Sequence, residues 1–311
     1  MRRALGHVSL FLATFVSMTA VFYRSQNPNG GDVYALQDAA LFAGSALLIL
    51  LSHEMGHYLM ARQWGVESSL PYFIPVPFGF GTMGAVIRLK GAIPSRNALF
   101  DIGAGGPLAG LAIALPLLVV GVMASPPGPC PAANFPGSAS LVGLAAEAGQ
   151  AARHWVDGTT SPETISRQAE LFGDNLLTLV VSRAVWGRLP PGVDLAGHPV
   201  FIAAWFGLLV TMFNLLPSGQ LDGGHVVRAV FGPKAERLGP HVASVVLVLA
   251  LLASVSWLIW FAMLLRVVGF GHPPPVDDQT PLSRGRVAAS VLVWVLTVSC
   301  FIPIPLDVVT W

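Results

Sequence analysis

Residues 35–62 read ALQDAALFAGSALLILLSHEMGHYLMAR. As a helix rising about 1.5 Å per residue, this run is long enough to cross a bilayer. Near its end stand His53, Glu54 and His57. Polar groups are costly in hydrocarbon and need a reason to be there. The spacing supplies one. Residues four apart share a helical face, so His53 and His57 present two imidazoles to one cation, an arrangement suited to Zn²⁺. Glu54 lies beside them, placed to take a proton from a water held there.

Such a constellation reads as metal-dependent peptide hydrolysis inside a membrane. An HExxH match in a soluble chain can be accidental, and lone histidines are more often core or surface groups than ligands. Three such polar residues within one membrane-length apolar run are much harder to explain that way.

Composition agrees with a polytopic membrane protein. Hydrophobic residues make up 54% and charged residues 11% of the 311, against roughly 25% charged in soluble domains. Mean hydropathy is +0.67. A net charge of +1 and the absence of a basic cluster argue against a nucleic-acid partner. Cys130 and Cys300 are the two cysteines, too far apart for a metal or disulfide spacing.

The expected membrane segments are Ala4–Tyr23, Ala35–Arg62, Ala98–Ala124, Pro199–Leu216, Val242–Val268 and Val287–Ile304. Ser254 and Ser256 could mark a hairpin within Val242–Val268, and Leu171–Trp186 reads as a re-entrant or interfacial helix. The fold class is therefore an all-α polytopic membrane protein with about 6–8 membrane segments. The start, Met1-Arg2-Arg3 before the apolar run Val8–Phe22, reads as a retained first helix rather than a signal peptide. Basic residues Arg88, Lys90, Arg96, Arg228, Lys234 and Arg237 place the loops Gln63–Asn97 and Leu221–Gly239 on the cytoplasmic side. The Pro- and Gly-rich stretch 125–170 is expected as a polar outside loop, and residues 1–311 as one domain with a core at about 35–239.

A catalytic zinc needs a third protein ligand and an open position. The metzincin pattern would require Gly at 60 and His at 63; the chain has Met60 and Gln63. Glu67 reads better as a solvated interfacial charge. Asp222 stands in FNLLPSGQLDGGH, residues 213–225, where Pro217 and Gly219 break the preceding helix and Gly223-Gly224 permits close backbone approach. A carboxylate there can serve as a ligand or as a helix cap; spacing alone leaves both open. Asn214 can hydrogen-bond between helices or donate to developing negative charge. His225 reads as packing or as a group supporting the ligands, and His272, with no spacing partner, as structural.

HEMGH within an apolar run, together with Asn214-Leu215-Leu216-Pro217 and Leu221-Asp222-Gly223, resembles the site-2 protease family of intramembrane zinc metalloproteases. The resemblance implies that Asp222 is the third ligand beside His53 and His57, that Glu54 is catalytic, and that Asn214 steadies the substrate carbonyl or oxyanion. Gly81–Ile87 resembles that family's glycine-bearing strand beside the site, a small membrane-associated β element. Gly105-Gly106-Pro107-Leu108-Ala109-Gly110 resembles its small-residue third helix, with Gly106 and Gly110 in GxxxG spacing. The subgroup resembled comprises bacterial relatives of the plant chloroplast gravitropism-related proteases.

The expectation is a zinc endopeptidase with one Zn²⁺ per chain, cutting transmembrane segments of protein substrates. It would sit in the lipid bilayer of a bacterial cytoplasmic membrane, its site near the cytoplasmic side. A zinc or other ion transporter is the rival, because buried His and Asp on broken helices also line ion paths. Glu54 separates the two, since transport needs no general base at that spacing. An inactive chaperone or binding protein is a third class, disfavoured by the intact set of ligands. Neither the substrate nor the oligomeric state follows from the sequence.

Overall fold

The computed structural model describes residues 2–27, 34–129, 168–190 and 193–310. Three long helices come first: α1 (Arg2–Gln26), α2 (Tyr34–Gln63) and α3 (Arg96–Met123). Each is a long apolar run, and α1 and α2 hold no proline. Helix α2 stops where Gly65 takes a positive φ of 69° and the Val66 N–H closes back on the Ala61 carbonyl, a Schellman-type end. Helix α3 starts on Ser95, whose side chain accepts from the Ala98 N–H. It continues through Pro107 and Pro116, which neighbouring helices make tolerable at membrane depth.

Helices α4 (Leu176–Trp186) and α5 (Pro199–Asn214) follow. The tandem α6 (Asp222–Phe231), a 3₁₀ turn (Gly232–Arg237) and α7 (Leu238–Leu252) come next. Helix α8 (Trp257–Met263) runs into a π turn (Leu264–Val268), and α9 (Arg284–Cys300) closes the helical order. Among the described residues, four helical stretches are long and apolar enough to cross a membrane: Leu5–Gln26, Tyr34–Gln63, Arg96–Met123 and Asp222–Leu252. Leu176–Trp186, Pro199–Asn214 and Trp257–Val268 are shorter apolar helices.

Helix α5 is the hub. It is apolar all round and nearly every residue is buried, as expected for a helix enclosed by others. Gly121 of α3 abuts the Phe201 backbone, and Gly207 meets Ile49 of α2. Phe42, Leu47 and Ile49 of α2, Leu118 of α3, and Trp205, Leu208 and Met212 of α5 form the centre of the core. In a bilayer such contacts hold by close packing, because lipid tails are as apolar as these side chains.

Four two-stranded antiparallel ladders decorate the bundle. Strand β1 (Glu67–Ser68) pairs with β4 (Leu89–Lys90), and β2 (Tyr72–Pro75) with β3 (Thr82–Val86). The β2–β3 hairpin leans on α1: Phe73 meets Phe11 edge-on at 5.1 Å, and the Ser17 hydroxyl donates to the Val76 carbonyl at 2.7 Å. Gly81 allows the hairpin loop onto the Met18 backbone. Strand β5 (Pro127–Pro129) pairs with β7 (Val193–Leu195), and β6 (Gln168–Phe172) with β8 (Leu306–Thr310).

One expectation is corrected, and two segments left open in sequence take a definite form. Residues Leu221–Gly239, expected as a basic loop, are helical from Asp222, because Val226 and Val227 give the segment a buried face. The apolar segment Leu171–Trp186 divides into the end of strand β6 and a helix capped by Asn175. That helix has 11 residues, too few to cross at about 1.5 Å each. Within Val242–Val268 the helix breaks at 253–256, where the Ser254 and Ser256 hydroxyls bond at 2.8 Å. The chain then returns, so that Phe270 packs on Gly239. Most of the 125–170 loop, with Cys130, lies outside the described residues.

Candidate metal centre

The site forms where α2 and α3 run antiparallel at backbone contact. A Cβ at Gly56 would collide with the Gly105 carbonyl, and one at Gly105 with Met60. A Cβ at Gly106 would strike the His57 ring, and Gly110 leaves room for His53. The small residues of α3 thus face the HEMGH stretch turn for turn, as their spacing suggested.

Asp222 arrives from the opposite wall. The chain after Asn214 turns tightly at Leu215–Leu221, and Gly223 and Gly224 pack against the Leu215 and Gly219 carbonyls. Asp222 is the first residue of α6 and makes no capping bond. Its carboxylate instead meets the two imidazoles.

His53 Nε2 lies 3.1 Å from Asp222 Oδ2, His57 Nε2 lies 3.3 Å from Asp222 Oδ1, and the two Nε2 atoms are 3.1 Å apart. Among the described residues these three groups form a cluster whose ligand atoms all fall within 4.8 Å of one another. His53 and His57 are buried.

Tautomers show what the cluster can hold. His57 Nδ1 lies 2.6 Å from the Ile102 carbonyl. A carbonyl only accepts, so Nδ1 carries the proton, and in the neutral ring Nε2 is left bare. The buried Asp222 Oδ2 has no hydrogen-bond donor. Imidazole nitrogens and carboxylate oxygens converging at close range are satisfied together by a cation held between them. Tetrahedral Zn²⁺ with bonds near 2.0–2.1 Å sets its ligands about 3.3 Å apart, close to the observed separations. These residues fit a zinc ion.

A cavity of about 250 Å³ adjoins the cluster. Glu54 forms one wall, buried and outside the trio of ligand atoms. Ala85 and Val86 of β3, with Ile87, form another. The expected strand therefore lies beside the site. Asn214 also lines the cavity, its Nδ2 3.4 Å from His53 Nε2. Glu67 is exposed, pairs with Lys90 across β1–β4, and is no part of the cluster.

Sequence reasoning missed a second shell of contacts. His272 does have a partner, His225. Arg228 is buried and holds Asp278 through two bonds of 2.7 and 2.8 Å. Asp101 gathers Arg286 and the Trp64 indole.

Comparison with known proteins gives the family. The profile of peptidase family M50 matches residues 41–256. The chain is 32% identical over 270 residues to the probable zinc metalloprotease EGY1, chloroplastic, of Oryza sativa subsp. japonica, covering 86% of this chain and 41% of that protein. It is 31% identical over 274 residues to the Arabidopsis thaliana protein of the same name, covering 88% and 44%. The probable zinc metalloprotease EGY2, chloroplastic, of Arabidopsis thaliana is 26% identical over 273 residues, covering 87% and 43%. The chain thus spans less than half the length of these relatives. No solved structure matches. With the family profile covering more than half of its residues, the chain belongs to peptidase family M50, the site-2 protease family that its motifs resemble.

Proposed function

We propose that this chain is an intramembrane zinc endopeptidase. The observation that carries the reading is the convergence of His53, His57 and Asp222 beside a buried Glu54, all reached from helices long enough to cross a bilayer. His53, His57 and Asp222 hold one zinc per chain. The names of the relatives, probable zinc metalloproteases, support the choice of metal.

When bound, zinc supplies Lewis acidity for a water and a carbonyl oxygen. Glu54 takes the proton from the attacking water as it adds to the scissile carbonyl carbon, then delivers that proton to the departing amide nitrogen. Asn214 offers its amide N–H to the oxygen on which negative charge develops. His57 stays oriented through the Ile102 carbonyl. The cavity wall formed by Ala85 and Val86 of β3 offers a strand edge to an extended substrate.

The substrate is a transmembrane segment of another protein. Its helix unwinds locally, because intact helical hydrogen bonds shield the peptide bonds. The single domain spans residues 1–311. Among the described residues, four long apolar helices and the shorter Pro199–Asn214 support six to eight membrane segments, with Leu176–Trp186 and Trp257–Val268 lying in the membrane without crossing it. The membrane is the cytoplasmic membrane of a bacterium, with the site toward the cytoplasm. Supporting this placement, His53 lies about 15 Å from the Gln63 end of α2 but nearly 30 Å from its Tyr34 end.

The test is purified, zinc-loaded chain with a transmembrane test substrate in liposomes. Chelator-sensitive cleavage is the expected result. Zinc flux across the liposome without cleavage would favour the transporter instead.

A further inference from the structure

The irregular segment 269–283 returns from the π turn to α9 as a strap across the end of the site. The Val276 and Asp277 N–H groups bond the Ile93 and Pro94 carbonyls at 2.9 and 3.0 Å, and the Ser283 N–H bonds Asn97 Oδ1 at 3.0 Å. Asp278 is held by Arg228 of α6. Fixed this way, the strap sets the His272 ring against His225.

The hydrogen-bond directions then follow one from another. His272 Nδ1 lies 2.7 Å from the Pro273 carbonyl, so Nδ1 is the donor. Burial of His272 holds its imidazole below the ordinary value, which keeps the ring neutral near pH 7. Its Nε2 is therefore an acceptor. His225 Nδ1 faces that acceptor and must donate to it. In the neutral His225 ring, Nε2 is left bare.

His225 stands one helical turn after Asp222, and it lines the cavity with Glu54 and Asn214. Its nitrogens are not among the atoms that converge at the centre. A peptide group offers one acceptor and one donor. Asn214 can serve the carbonyl, and His225 Nε2 is the complementary acceptor.

We propose that His225 is a substrate-positioning residue: its Nε2, kept bare by His272 of the strap, accepts a hydrogen bond from a main-chain N–H of the peptide bound in the cavity. The inference rests on the proteolytic reading above.

Two measurements on the full, zinc-loaded chain test it. In ¹⁵N-histidine spectra, with His225 assigned by loss of its signals in His225→Gln, the wild type should show a protonated Nδ1 and a bare Nε2. His272→Phe should mix the two tautomers, while His272→Gln, whose amide oxygen can accept, should preserve the native one. Binding of a transmembrane test peptide is read separately in a Glu54→Gln background, where it stays uncut. His225→Phe and His272→Phe should each weaken binding about tenfold, with zinc content unchanged, and His272→Gln should restore most of it. A protonated Nε2 in the wild type, or unchanged peptide affinity in both Phe variants, would overturn the proposal. If His225→Phe misfolds, it loses zinc, and the two His272 variants decide. Failure of the proteolytic reading looks different: the wild type leaves the peptide uncut and unbound while the His225 tautomer signature persists.

Discussion

The His57 imidazole fills the space that a side chain at Gly106 would occupy. The ring is seated by an absence of atoms on the neighbouring helix as much as by its own bond to the Ile102 carbonyl. Gly106→Ala should therefore displace His57, lower zinc content and destabilise the chain by about 1–3 kcal/mol. Gly44, whose nearest new contact would be Phe15 at 4.0 Å, is the control. Gly44→Ala should keep both zinc and stability. Equal zinc content in the two variants would mean that the close approach does not set the ligand.

Glu54→Gln should keep the metal and lose cleavage by a factor of about 10²–10⁴. Glu54 is buried on the cavity wall but outside the trio of ligand atoms. The amide keeps the shape and removes the base. Zinc content and product from a transmembrane test substrate are measured on the same preparation. Cleavage near the wild-type rate would remove Glu54 from the mechanism.

Asp222→Ala should lose most of the bound zinc, whereas Glu67→Gln should keep it. Asp222 Oδ1 and Oδ2 face the two imidazoles, while Glu67 lies exposed on a strand edge. Metal analysis after dialysis decides. The reverse pattern would reassign the third ligand.

The strap should respond to acid in a defined direction. The hydrogen bonds from Arg228 hold the Asp278 carboxyl below its ordinary value. A carboxylate with a depressed folded pKa contributes stability above its unfolded value, near 3.9, and loses it as pH falls through the folded value. Hydrogen exchange across residues 270–283 should stay slow at pH 5–7 and rise only below about pH 4. Asp278→Asn should show fast exchange at every pH. A wild-type strap already open at pH 6 would contradict the clasp.

Cysteines placed in the loop 63–97 should resist labelling from outside intact cells. Arg88 and Lys90 in that loop are exposed, which suits a cytoplasmic face. Labelling from outside would reverse the orientation.

Much of the site was legible because its signals are local. His53, Glu54 and His57 sit within five residues, and Pro217 and Gly219 announce the turn that delivers Asp222. The β3 strand was expected from the resemblance of Gly81–Ile87 to a family strand. The rest depends on distant pairings. His225 and His272 are 47 residues apart, and Arg228 and Asp278 are 50 apart. The same cause misdirected the reading of Leu221–Gly239. Arg228, Lys234 and Arg237 look like solvated loop charges in sequence, yet Arg228 is buried against a carboxylate from the strap. The ladder of β6 with β8 joins residues near 170 to residues near 308, and no turn signal links them.

The converging groups come from two stretches separated by most of the bundle: His53 and His57 on α2, Asp222 on α6. During synthesis the two imidazoles reach the membrane first, and the carboxylate is 165 residues behind His57 (222 − 57). At about 5–20 residues per second the growing chain carries an incomplete site for roughly 8–33 s. On the proposed reading, the set of three groups that would hold zinc is complete only once α6 has been made, however early His53 and His57 are in place.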